Sequence, residues 1–355
     1  MTYLFIAAGM LVLLVGGELL VRHASRLSLS LGVSPLVVGL TVVAVGTSTP
    51  ELMSSVYGQW MGQSALAVGN VVGSNIFNVF FILGLSALFA PLTVDTNLLR
   101  IEVPVVLAVS LLGLGFAYSG AISRWESGIL LAILVVYTVW LVRKSRAETA
   151  ESTLELDAET EAVAASSKHW STSAGLVLVG LILVVLGGRI FVSGAVEVAT
   201  SLGVDEGVIG LTVVAAGTSL PELVTSILAS LRGHREIAVG NVVGSNLFNL
   251  TGVLGLAGMV VPGGSQVDPS LLSFDMVVMV AAMIVCLPVF FTGSRIDRWE
   301  GGVLVLYYLG YVTYRVLVAT GQPAATPFRN AMIWFVVPLT LLTLGVVGHR
   351  QWSIR

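Results

Sequence analysis

LTVVAVGTSTPEL, residues Leu40–Leu52, returns as LTVVAAGTSLPEL at Leu211–Leu223, with 11 of 13 positions identical. A second pair keeps the same spacing along the chain. GNVVGSNIFNVFFILGL at Gly69–Leu85 matches GNVVGSNLFNLTGVLGL at Gly240–Leu256 at 12 of 17 positions, so Gly69 stands to Gly240 as Leu40 stands to Leu211. A shorter pair, RWESG from Arg124 and RWEGG from Arg298, follows each copy. Self-similarity on this scale means that the chain is built from two copies of one structural unit.

The medium in which those units fold is set by composition. Of 355 residues, 56% are apolar and only 10% charged, and the mean hydropathy is +0.96. A soluble chain carries about 25% charged residues, so this one lacks the charge to cover a water-facing surface. It reads as an all-α polytopic membrane protein. A bilayer core takes about 20 apolar residues per helix, and eleven such segments are expected, centred near residues 12, 46, 77, 109, 134, 182, 218, 249, 282, 309 and 339. The second, third, seventh and eighth carry Gly, Ser, Asn and Pro and are expected to be broken. Met1–Thr2–Tyr3 has no basic character, so the first segment is expected to stay in the membrane rather than be cleaved. Net charge is −3, which points to no nucleic acid partner, and the single Cys286 excludes an internal disulfide.

With the N-terminus outside, 13 of the 17 Lys and Arg fall on the inner side and 4 (Arg124, Arg189, Arg315 and Arg329) on the outer. The excess of basic residues marks the cytoplasmic face, so the N-terminus is expected outside and the C-terminus inside the cell membrane. The domain reading is a first transmembrane repeat over 1–143, an acidic cytoplasmic linker over 144–170, a second repeat over 171–320, and an additional helix over 328–350. The linker holds Glu148, Glu151, Glu155, Asp157, Glu159 and Glu161 and reads as a flexible solvated run. Trp60, Trp125, Trp170, Trp299 and Trp352 fall near segment ends, where an interfacial belt places them.

Helices two and seven are five spans apart, and an odd number of crossings reverses direction. The two copies of each motif therefore enter the membrane from opposite faces. Inverted repeats of this kind put a binding site at the bilayer midplane and suit alternating access.

Of 20 acidic residues, Glu51 and Glu222 are read as the two deep inside apolar spans, with no deep Lys or Arg to neutralise them. A charge at that depth costs about 2.5–3.5 kcal/mol even on insertion scales, which leaves a proton or a bound cation as partner. Pro50 and Pro221 precede the two acids. Each denies a hydrogen bond to a carbonyl four residues back, at Gly46 and Gly217. Irregular backbone at membrane depth lines a cavity or is satisfied by other groups. Carboxylate and carbonyl oxygens suit hard cations such as Na⁺ and Ca²⁺. The four His, at 23, 169, 234 and 349, lie near span ends, which disfavours zinc or copper. Ser74 and Asn78 share one helical face, as do Ser245 and Asn249. Asn70, Asn241 and the motif glycines fit helix packing. Glu18 is expected to pair with Arg22 on its own helix, and Asp275 and Glu197 to be ordinary polar residues near span ends.

At these motifs the sequence resembles the calcium/cation antiporter superfamily, the sodium/calcium exchangers, over about residues 1 to 320. The resemblance implies ten helices in two inverted five-helix halves, and calcium efflux driven by sodium entry. By position, it implies that Glu51 and Glu222 bridge Ca²⁺ with the carbonyls of Thr47 and Thr218. Sodium sites would use Ala44, Thr47, Ser48 and Ser74 on one side and Ala215, Thr218, Ser219 and Ser245 on the other. Asn78 and Asn249 would lie at the centre. The first and sixth helices would slide against the rest to switch access. Two features depart from the pattern: Asn249 stands where exchangers often carry an aspartate, and an eleventh span, about Ala331 to Gly348, follows the ten-helix core.

The expectation is thus a monomeric secondary antiporter exchanging calcium for sodium, with both ions bound transiently and no cofactor. A proton/calcium antiporter and a passive cation channel remain open beside it. An enzyme is not expected, since no nucleophile–base pair or phosphate loop is visible.

Overall fold

A computed structural model describes residues 2–95, 98–153, 170–202, 215–291, 295–338 and 345. Helices dominate it: α1 Thr2–Leu31, α2 Pro35–Thr47, α3 Thr49–Trp60, α4 Ser64–Phe89, α5 Leu98–Ala117 and α6 Arg124–Thr153. After residue 170 come α7 Trp170–Ser201, the short α8 Ala215–Thr218, α9 Leu220–Leu231, α10 Arg235–Val260, α11 Leu271–Cys286, α12 Arg298–Ala319 and α13 Ala325–Ala331. Among the described residues seven helices are long and apolar enough to cross a bilayer, and α2 with α3 makes an eighth if that bent pair is one span. The first half of the seventh expected span lies outside the described residues. So does most of the expected additional helix beyond residue 338.

The break in each motif copy falls two residues before its proline. The α2–α3 pair bends by 45° at Ser48, two residues before Pro50. Ser219 holds the same position before Pro221, with nearly the same backbone: φ −81°, ψ 9° at Ser48 and φ −93°, ψ 12° at Ser219. In contrast, α4 and α10 are continuous, although breaks were expected there. Neither contains a proline, and their polar stretches are carried through wide π turns at Phe77–Leu83 and Asn249–Val253. Such turns are frequent at functional sites, and these two contain Asn78 and Asn249.

The two halves exchange contacts as a two-fold relation demands. Strand β1 (Leu92–Thr93) follows α4, and β3 (Ser265–Gln266) follows the equivalent α10. Strands β2 (Ala121–Ile122) and β4 (Arg295–Ile296) precede α6 and α12. The bridges are β1 with β4 and β2 with β3, both antiparallel. Each joins one half to the non-equivalent strand of the other. The RWE motif opens α6 and α12 for a local reason. Glu126 accepts from the Ser123 backbone N–H at 2.7 Å, and Glu300 from that of Asp297 at 2.8 Å, as a capping box requires.

Helices α1 and α7 run antiparallel with their backbones nearly touching. A methyl group added at Gly9 would stand 2.5 Å from the Phe191 nitrogen, and one at Gly187 2.6 Å from the Leu13 nitrogen. Gly16 and Gly180 repeat the contact one stripe along, with Gly16 2.7 Å from the Val184 nitrogen and Gly180 2.8 Å from the Leu20 nitrogen. Small residues permit such approach in membranes, where dispersion rather than the hydrophobic effect drives helix association. Leu13, Val184 and Val224 form a small cluster of their own beside the main core.

Several expectations change. The segment 144–153 was read as linker but continues α6 as helix. Its Lys, Arg, Ala and Glu are strong helix formers, and Lys144 pairs with Glu148 one turn on at 3.6 Å. Residues 154–169 lie outside the described ones. Glu18 does not pair with Arg22; α1 packs on α9, and Glu18 meets Arg232 there at 2.8 Å. Glu51 and Glu222 are not the only interior acids. Glu102 and Asp275 are 2% and 1% exposed, Asp275 being held by Tyr311 at 2.7 Å and Arg315 at 3.3 Å. Trp60, Trp125, Trp170 and Trp299 are exposed, as a belt requires, while Trp352 lies outside the described residues.

Candidate ion-binding site

Both break residues deliver a serine hydroxyl across the two-fold. Ser48 donates to Glu222 Oε1 at 2.7 Å, and Ser219 donates to Glu51 Oε1 at 2.6 Å. The bend in each copy therefore aims its serine at the other copy's acid. Glu51 and Glu222 are 0% and 1% exposed, and on each the Oε2 atom is buried with no hydrogen-bond partner. Glu51 and Glu222 are thus each satisfied on one oxygen only, and no Lys or Arg pairs with either among the described residues. An unpaired buried carboxylate is strongly disfavoured, so these two oxygens call for a cation or a proton between the halves.

Asn70 and Asn241 fix the backbone of the acids. Asn70 donates to the Glu51 carbonyl at 3.2 Å and to Ser55 Oγ at 2.9 Å. Asn241 donates to the Glu222 carbonyl at 3.3 Å and to Ser226 Oγ at 2.9 Å. These asparagines, for which the sequence left helix packing as the alternative reading, hold the backbone of the acids. Ser55 and Ser226 went unnoticed, although the identity of the two copies at these positions was available as a signal. Thr47 reaches Asn241 Oδ1 at 3.2 Å, tying α2 to α10.

The remaining expected residues divide. Ser74 is joined to the acids through Ser219, whose hydroxyl oxygen it meets at 3.2 Å. Asn78 donates to Asn246 Oδ1 at 3.0 Å, a partner not foreseen. Ser245 and both amide atoms of Asn249 are buried without partners and make no hydrogen bond to either glutamate. The Ala44 carbonyl is engaged within its own helix by the Ser48 N–H at 3.0 Å. Thr218 lies on the lining of a crevice. Of Ala215 only the backbone is described, as the first residue of α8.

That crevice has about 550 Å³ and runs between α3 and α7 to Pro50, Thr218 and Pro221, immediately beside the acids. The Ser193 end of its lining lies toward the start of α1, where the neighbouring Gly194 of α7 packs on Ile6. Met53 and Tyr57 line it and are 58% and 59% exposed. Their counterparts in the second copy, Val224 and Leu228, instead close against Gly17 of α1, at 3.2 and 2.7 Å from a methyl group placed there. One crevice is open and its mirror image shut.

A family profile described as "Sodium/calcium exchanger protein" matches residues 1–143 and 172–317. The chain belongs to the sodium/calcium exchanger family. It is 34% identical over 311 residues to the "Putative antiporter CaxA" of Alkalimonas amylolytica, covering 87% of this chain and 96% of that one. It is 32% identical to the "Sodium/calcium exchanger MaX1" of Methanosarcina acetivorans, covering 87% and 97%. Among solved structures it resembles the sodium-calcium exchanger NCX_Mj, with a TM-score of 0.75, 30% identity, and 90% and 98% coverage of the two chains. The exchanger relatives make this a multi-pass membrane transporter of the cation/calcium antiporter kind and not an enzyme.

Proposed function

We propose that this exchanger trades Ca²⁺ for Na⁺ at a single site between Glu51 and Glu222, by alternating access. The observation that carries the reading is the pair of buried, partnerless Oε2 atoms on acids held from opposite halves by Ser48 and Ser219. Two carboxylates neutralise one divalent ion, and hydroxyls with main-chain carbonyls add neutral oxygen ligands. Ca²⁺ would take Glu51 and Glu222 with the carbonyls of Thr47 and Thr218. Na⁺ ions would use the same acids with Ser48, Ser74, Ser219 and Ser245, and with the backbone around Ala44 and Ala215. Asn78 and Asn249 complete the centre as neutral amides, and Asn249 leaves the site with two charges rather than three.

The open and shut crevices support alternating access. Beside the acids the α1–α7 pair meets the neighbouring helices at glycines, Gly17 and Gly188 against α9 and Gly46 and Gly217 against Leu181 and Val192 of α7, while Leu20, Val21, Ala24 and Val177 join the pair to the main core. The excess of basic residues on one side supports an N-terminus outside, with the open crevice, and a C-terminus in the cytoplasm, in the cell membrane. One chain contains the whole site, so a monomer suffices.

Calcium uptake into proteoliposomes tests the coupling. Vesicles loaded with Na⁺ and diluted into Na⁺-free medium are expected to accumulate Ca²⁺, and vesicles with equal Na⁺ on both sides are not. Uptake driven by a pH gradient without Na⁺ would reassign the counter-ion to protons. Flux that needs neither gradient would make the protein a channel.

A further inference from the structure

The exchange reading leaves one charged residue of the open crevice without a role. Arg189 of α7 lines it, together with Tyr57, Ser193 and Thr218, and its side chain is exposed. No carboxylate pairs with it among the described residues. By the spacing that relates Leu40 to Leu211, the first-copy counterpart of Arg189 is Glu18, on the sliding helix of the other half. Glu18 lies at the shut crevice and is bound to Arg232 at 2.8 Å. The two access routes thus differ in charge: the shut one carries a charge-balanced pair, while the open one carries a cation with no carboxylate paired to it among the described residues.

We infer that Arg189 is a specificity-determining residue that sets how strongly each cation is admitted from the crevice side. The inference rests on the proposed exchange at Glu51 and Glu222. A guanidinium keeps its charge at every physiological pH. It therefore imposes a positive potential on the open crevice beside the acids. The work of bringing an ion up that route is proportional to the ion's charge. If the potential lowers the local Na⁺ concentration by some factor, it lowers that of Ca²⁺ by the square of that factor. A unit charge about 10 Å from the path in water depletes a monovalent ion about twofold and a divalent ion about fourfold. Arg189 thereby favours entry of sodium over calcium from the crevice face, which opposes calcium re-entry there.

The test measures half-saturating Na⁺ and Ca²⁺ on each face of oriented proteoliposomes, at low ionic strength. Arg189→Gln is expected to lower the half-saturating Ca²⁺ about fourfold and that of Na⁺ about twofold on the crevice face alone. Maximal rates at saturating ions should not change. Arg189→Lys should leave both values as they are, and Arg189→Met should repeat the glutamine result if glutamine disturbs the crevice. Raising ionic strength with choline chloride shortens the screening length from about 10 Å at 0.1 M to 3 Å at 1 M, and should erase the differences. Equal shifts for the two ions, or shifts that survive high salt, would overturn the inference, as would unchanged affinities in a transporting variant. Loss of Na⁺-coupled uptake in the unmodified protein would overturn the exchange reading instead, and this inference with it.

Discussion

Glu51→Gln is expected to reduce sodium-driven calcium uptake by at least a hundredfold, and Glu222→Gln to do the same. Glutamine keeps the size of the side chain and an oxygen that can accept from Ser219 or Ser48. The fold should therefore persist, as monodisperse elution of the purified variant would show. The negative charge is lost, and with it half of what balances a divalent ion. Removing one partner of a buried charge arrangement typically costs about 3–5 kcal/mol, which at about 1.4 kcal/mol per tenfold is a hundredfold or more. On the proposed shared site, the double variant should be no worse than either single one. Retained uptake in one of the single variants would mean that the two acids do not share an ion.

Gly244→Val is expected to act on folding rather than on ions. A methyl group at Gly244 would stand 2.5 Å from the Leu40 carbonyl oxygen and 2.6 Å from its Cα, so α10 could accommodate it only by parting from α2. Overpacking of well-fitted interiors costs about 1–3 kcal/mol, and here the obstacle is main chain that cannot rotate away. The same separation would pull Asn241 from Thr47. Yield and thermal stability in detergent should both fall sharply. Gly302→Ala is the matched control, since its nearest neighbour, Leu88, stays at 3.8 Å. Equal stability of the two variants would contradict the packing described.

Much of this was legible because the informative residues are short-range and duplicated. GTS-x-PE announces a bend, an acid and a second copy of both, and the bend and burial of Glu51 and Glu222 follow. The cross-repeat bonds from Ser48 to Glu222 and from Ser219 to Glu51 were not legible. They join residues 174 and 168 positions apart, and their pairing depends on how the halves dock. Glu102 and Asp275 were missed for another reason. VDTNLL at Val94 and VDPSLL at Val267 are spaced more widely than the two motif pairs, so this part of the repeat is out of register with them. Each acid also lies in the opening turns of its helix, where hydropathy reads a span end. Glu18 was assigned to Arg22 by helical spacing, but tertiary packing offered Arg232. The continuity of α4 and α10 shows that Gly, Ser and Asn alone do not break a membrane helix, whereas proline at Pro50 bends one.

Equilibrium binding of radioactive Ca²⁺ to the purified protein, titrated with Na⁺, measures the central claim without any question of coupling or orientation. One Ca²⁺ per chain is expected, displaced by Na⁺ in full and lost when Glu51 and Glu222 are both replaced by glutamine. Calcium that stays bound at saturating Na⁺, or that binds the double glutamine variant as tightly as the unmodified chain, would contradict a shared site between the two acids.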